Sequence, residues 1–172
     1  NYYHKPQFSF RHFWTVNDKL YLSNILYASI GNGGGTGLSG NTNNYDENGQ
    51  YNLQEAYDAN NNNIDGLYSS TDNKAGTYLR SSINNHYWYG GLSTLNYQAT
   101  ENISFSAGLD MRYYQGEHYR EVYDLLGADY ALDAANGLQD SEIKKVGDKV
   151  GYHNDGLVKW SGLFSQAEYT NG

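Results

Sequence analysis

The chain has 172 residues, about one domain's length, with 20 glycines, 19 tyrosines, one proline and no cysteine. Its formal net charge of -8 argues against a nucleic-acid partner, which calls for a basic patch to displace counterions. Absent cysteine excludes a disulfide framework and thiolate-ligated metal. No apolar run approaches the length of a transmembrane helix, a test that leaves transmembrane strands untouched. The chain opens on Asn1, so it reads as a fragment of a larger protein.

Five segments read as strands, in chain order 8–16, 20–30, 86–99, 103–117 and 157–169. Each meets or exceeds the roughly 9–11 residues with which a tilted strand crosses a bilayer. The fourth alternates most cleanly. Ile103, Phe105, Ala107, Leu109, Met111 and Tyr113 fall on one side; Ser104, Ser106, Gly108, Asp110, Arg112 and Tyr114 fall on the other. That period of two marks a strand with one apolar and one polar face. The first sets Phe8, Phe10, His12, Trp14 and Val16 against Ser9, Arg11, Phe13 and Thr15. The fifth sets Val158, Trp160 and Phe164 against Lys159, Ser161 and Ser165. The second and third alternate too weakly for their faces to be assigned.

The connections run short, long, short, long. Residues 17–19 and 100–102 have tight-turn lengths; 31–85 and 118–156 are long, and the chain ends on a turn signal at 170–172. In an up-and-down antiparallel sheet this order sends short turns to one end and long loops to the other. Long loops without structure are uncommon in compact soluble domains and normal at the outer end of an outer-membrane barrel. Trp14 and Tyr97 near the short turns, with Tyr87, Trp88, Tyr113, Tyr114 and Trp160 near the long loops, fit two interfacial aromatic girdles. Each long loop has net charge -4, which accounts for all of the chain's excess, and the strands balance.

Residues 30–40, IGNGGGTGLSG, contain G-x-G-x-x-G. The dinucleotide pattern must open a helix, and NTNNYDENGQ, which follows, has no helical period. The glycines are expected to serve as a flexible strand exit into the first long loop. In the second, 119–127 (YREVYDLLG) is expected to form one or two helical turns, with Val122, Leu125 and Leu126 on one face and Gly127 as the stop.

Asp58, Asn60 and Asn62 stand at alternate positions, like the first ligands of a calcium loop. Ser69 stands where the bidentate glutamate belongs. They are the candidate ligands of a weak outer-loop calcium site; no other cofactor is expected. His118 and Glu121 are too few ligands for zinc, and no nucleophile–base pattern occurs, so the chain is not read as an enzyme.

The segments NYYHKPQFSFRHFW (1–14), LSNILYASIGNGGGTG (22–37), SSINNHYWYGGLSTLNY (81–97) and GLDMRYYQGEHYREVYDLLGADY (108–130) resemble the barrel of a TonB-dependent outer-membrane receptor. The resemblance implies a barrel of about 22 strands around an N-terminal plug, in the outer membrane of a Gram-negative bacterium. It also implies import of a scarce ligand (metal chelate, cobalamin, oligosaccharide or peptide) with energy relayed by TonB. The plug and the TonB-contacting motif are not in these residues. The implied partners are outer-membrane lipid, the rest of the barrel and its plug, TonB through those absent parts, and a surface lipoprotein cap.

The expected fold is therefore all-β: residues 1–172 as an antiparallel up-and-down segment of a transmembrane barrel, about five strands with short periplasmic turns and long extracellular loops. Arg11, Asp110, Arg112 and Lys159 are the candidate lumen residues for ligand or plug. The competing expectation is a surface-exposed or secreted β-domain that binds glycans through its aromatic residues. What Ile103, Phe105, Leu109 and Met111 face, lipid or a second packed sheet, separates the two.

Overall fold

The computed structural model describes residues 1–134 and 141–171. Asp140, an acid of the second long loop, and Gly172, in the terminal turn signal, lie outside the described residues. The fold is all-β and mostly antiparallel, with 68% strand against 5% helix. The elements are β1 (Tyr2–His4), β2 (Gln7–Asn17), β3 (Leu20–Gly40), α1 (Leu53–Asn60), β4 (Thr77–Gln98), β5 (Ile103–Asp124), β6 (Ala131–Asp133), β7 (Glu142–Lys144) and β8 (Lys149–Tyr169). One sheet has the order β1-β3-β4-β5-β8, with β2 also paired to β3; β6 and β7 form a two-stranded sheet. Among the described residues the larger sheet is open.

Four strands extend beyond their sequence patterns at the long connections. β4 begins at Thr77 and β8 at Lys149, and β3 continues through the glycine run to Gly40. The glycines therefore do not form a flexible exit. Their reason is close approach: a Cβ on Gly31 would collide with the His86 ring, and one on Gly33 would come within 2.8 Å of the Tyr3 ring. Gly35 lies equally tight beneath Asn1. Alternate bare positions admit neighbours' side chains against the backbone, which a side chain on β3 would exclude. Gly40, with φ +89° and the Gly76 carbonyl against its missing Cβ, ends the strand.

β5 likewise runs on to Asp124, so no helical turn forms over 119–127. Val122 is buried from within the strand. Leu125 and Leu126 follow in a turn, with Leu126 at φ 49° and Gly127 at φ 81°. Gly127 does stop the element, but as a left-handed turn residue beneath the Tyr57 ring.

The chain divides into two compact units, to both of which β3, β4, β5 and β8 contribute residues. The first comprises Asn1–Tyr3, Gly33–Asn84 and Glu117–Asn154. It has a core of Tyr78, Val122, Leu125, Ala131 and Val150, with Ala75 and Ala128 packed against it. Asn60, 1% exposed, ties this core to its surroundings. Its Nδ2 donates to the carbonyls of Thr77 (2.8 Å), Leu125 (3.0 Å) and Leu126 (3.1 Å), and its Oδ1 accepts from the amides of Gly76 (2.8 Å) and Thr77 (3.4 Å). α1 presents it: Asn52 caps the helix by accepting from the Glu55 amide at 3.1 Å, and Ala56 and Asn60, four apart, form its buried stripe.

The second unit comprises His4–Asn32, Asn85–Gly116 and Asp155–Gly172. β2 and β3 form a hairpin in the register Phe8↔Ala28, Phe10↔Leu26, Arg11↔Ile25 and Trp14↔Leu22, with an irregularity between Thr15 and Asn17. The Lys19 amide donates to Asn17 Oδ1 at 2.9 Å and closes the turn. The amides of Ala99 and Thr100 both donate to the Ile103 carbonyl between β4 and β5.

Candidate functional site

Cross-strand contacts assign the two faces of the second unit. Asn96–Ser106, His86–Tyr114 and Arg112–Trp160 meet on one face; Tyr89–Tyr113 and Lys159–Tyr113 meet on the other. Because successive residues of a strand alternate, the first face carries Asp110, Arg112, Tyr114 and Trp160. Arg11 sits opposite Ile25, two residues from Tyr27. Tyr27 meets Trp88 edge to face at 6.0 Å, so Arg11 shares this face. The opposite face carries Phe8, Phe10, Leu26, Phe105, Leu109 and Met111. It is left open to solvent, with Phe105 46% and Met111 51% exposed.

Three of the four candidate lumen residues thus lie on one face, and Lys159 lies on the other, its ammonium 6.0 Å from the Tyr113 ring centre. Alternation within β8 separates Lys159 from Trp160 but does not say which of them joins Arg112. Register decides that, and Phe164 against Gly108 follows the same register. The aromatic girdle divides in the same way: Trp88, Tyr114 and Trp160 belong to the charged face.

On that face Trp88, Arg112, Tyr114, Val158 and Trp160 line an open recess of about 410 Å³. Arg112 is held in a two-point ion pair by Asp110, Nη2 to Oδ2 at 2.7 Å and Nε to Oδ1 at 3.2 Å. Its guanidinium carbon lies 5.0 Å from the Trp160 ring centre. Aromatic walls stack flat ligand groups, and a fixed charged pair at the rim supplies donors and acceptors that orient them. Alternation along β5 already places Tyr114 on the side of Asp110 and Arg112, but Trp88 and Trp160, on neighbouring strands, join them only through register. On the opposite face a shallow recess of about 490 Å³ is lined by residues including Leu26, Tyr89, Met111, Tyr113 and Lys159.

The calcium candidates fall at the end of α1 and just beyond it. Asn60 is buried with both amide atoms committed to backbone groups, while Asp58 and Asn62 are exposed. Asp58 Oδ1 accepts from Gln54 Nε2 at 2.8 Å, and Asn62 Nδ2 donates to the Asp58 carbonyl at 2.9 Å. Nearby, Lys74 pairs with Asp65 at 2.5 Å. The hydrogen bond from Lys74, helped by the Leu67 amide, holds the Asp65 carboxyl below its usual range, and the same bond holds Lys74 above its own. Among the described residues no cluster of three or more His, Cys, Asp or Glu side chains has metal-binding geometry.

Compared with models of known families, with characterised proteins and with solved structures, the chain matches none.

Proposed function

We propose that the chain is part of the barrel of a TonB-dependent outer-membrane receptor, which binds a scarce ligand and imports it with energy relayed from the inner membrane. One observation carries this reading: long strands whose apolar face is uncovered and whose opposite face holds Arg11, Asp110, Arg112 and an aromatic recess. An uncovered apolar face is costly in water and normal against lipid. The bilayer-crossing segments are the stretches in the second unit, such as 85–98, 103–116 and 155–169. Each exceeds the roughly 9–11 residues required.

In this reading the recess at Trp88, Tyr114 and Trp160 is a lumen contact for the ligand, and the first unit is a folded extracellular element. The Arg112–Asp110 pair keeps charge in place on the wet side, where no hydrocarbon must solvate it. Movement of the plug would then release the ligand inward, through parts of the receptor outside these residues.

A second reading, a surface-exposed or secreted β-domain that binds glycans, is favoured by the same recess, because indole and phenol faces stack on sugar rings. The two differ at the apolar face. Single cysteines at positions 103–112 of the purified protein in lipid bilayers, each carrying a fluorophore, would be quenched by brominated acyl chains at 103, 105, 109 and 111 but not at 104, 106 and 110. A flat profile would sink the barrel reading.

A further inference from the structure

We propose that Arg80 and Arg120 of the first unit form an oxyanion-binding site that takes a planar carboxylate on a soluble ligand. The hydrogen bond between His118 Nδ1 and Asn84 Oδ1, at 2.6 Å, sets the local register of β4 and β5. That register puts Ser82 opposite Arg120, with Arg80 on the same face one pair along. Arg80 Nη1 donates to Ser82 Oγ at 2.5 Å. Arg120 lies over the Tyr152 ring, its guanidinium carbon 4.8 Å from the ring centre. The guanidinium of Arg80 lies against Gly37, where a Cβ would stand 3.4 Å from Nη2.

A guanidinium carries five N–H donors. Among the described residues Arg80 spends one, on Ser82, and Arg120 Nε is buried with no acceptor. Among the described residues neither arginine joins an ion pair; those present there are Lys74–Asp65, Arg112–Asp110 and Lys144–Glu142. Asp133, whose charge acts on Tyr78 as those of Arg80 and Arg120 do, accepts from the Gly151 amide at 2.9 Å and makes no ion pair with either arginine. Burial, and then the Arg120 charge, push the Arg80 guanidinium below its ordinary pKa. A bound anion would offset the second of these, the repulsion between like charges. Two half-buried like charges on one face, Arg80 seated on Ser82 and Gly37 and Arg120 over Tyr152, repel each other and are favoured when an oxyanion bridges them. A planar carboxylate matches the guanidinium fork, which a point charge does not reproduce.

The test is calorimetric titration of the intact protein in detergent micelles at low salt. The probes are glucuronate, glucose as its neutral counterpart, and inorganic phosphate, which stands for a lipid phosphate. Glucuronate should bind saturably and glucose about tenfold or more weaker. R80Q and R120Q should each weaken glucuronate about tenfold or more, and K145Q, on an exposed lysine of the same unit, should leave it unchanged. The double variant R80K/R120K, which keeps charge and loses the fork, should lose glucuronate more than phosphate. Retained amide protection at Thr77 would confirm that each variant is folded. Equal glucuronate affinity in wild type and in folded R80Q and R120Q would overturn the site, as would no saturable glucuronate binding in wild type. Phosphate binding more tightly than glucuronate would overturn the carboxylate assignment. The readout needs no translocation, so this site and the receptor reading fail separately.

Discussion

Replacing Asn60 is the sharpest test of how the first unit holds together. Its amide makes five hydrogen bonds to backbone groups of Gly76, Thr77, Leu125 and Leu126, from a side chain 1% exposed. A buried polar group left without its partner costs about 1–3 kcal/mol. Some of these carbonyls recover water after truncation and the 3.4 Å contact is weak, so Asn60→Ala should destabilise the unit by about 3–4 kcal/mol. Asn60→Asp discriminates further. It keeps the shape but puts a carboxylate oxygen where Nδ2 faces three carbonyls, so at neutral pH it should cost more than alanine. Burial and those carbonyls raise the new carboxyl's pKa, so part of the loss should return on acidification as the group becomes a donor. Hydrogen exchange at the amides of Gly76 and Thr77, followed from pH 7 to pH 5, reads both effects. Exchange in Asn60→Ala within about tenfold of wild type (about 1.4 kcal/mol) would refute the assignment of this side chain as the unit's central tie. So would an Asn60→Asp variant that is the milder of the two at pH 7.

Gly31→Val should force the His86 ring from its seat and cost about 1–3 kcal/mol, read as a lowered melting temperature; a flexible glycine exit predicts no loss. Gly40→Ala combines φ +89° with a clash against the Gly76 carbonyl and should cost about 2 kcal/mol or more by the same measurement. The depressed Asp65 pKa makes its contribution to stability present above the unfolded value near 3.8. That contribution is lost as pH falls through the lower folded value. The raised Lys74 pKa makes the lysine's contribution present below 10.5 and lost as pH rises past its folded value. Carboxyl titration by NMR should return Asp65 towards its ordinary value in Lys74→Met; no movement would contradict the pairing.

The alternating residues of 103–117 and 8–16 were enough for the β class and for one apolar and one polar face per strand, because side-chain period is a local property of extended backbone. Asp110 and Arg112, two apart on one strand, could be grouped from that alternation; Arg11, on another strand, joins them only through register. Lys159 could not be placed either, because parity is internal to a strand and the face it shares with a neighbour depends on register. Trp88 and Trp160 looked like girdle residues for the same reason. The glycine run misled in another way. Glycine is a poor strand former by itself, and only the approach of His86, Tyr3 and Asn1 against alternate glycines shows why β3 continues there. Asn60, read along the chain as a calcium ligand, depends on carbonyls 17 and 65 residues away, and no local pattern encodes such partners. The sequence alone determined strand character, the two-sidedness of each strand and where charge accumulates, all set by neighbours in the chain. Tertiary structure decided which faces join, why the glycines are bare and what the buried asparagine is for, because those depend on register and on groups distant in sequence.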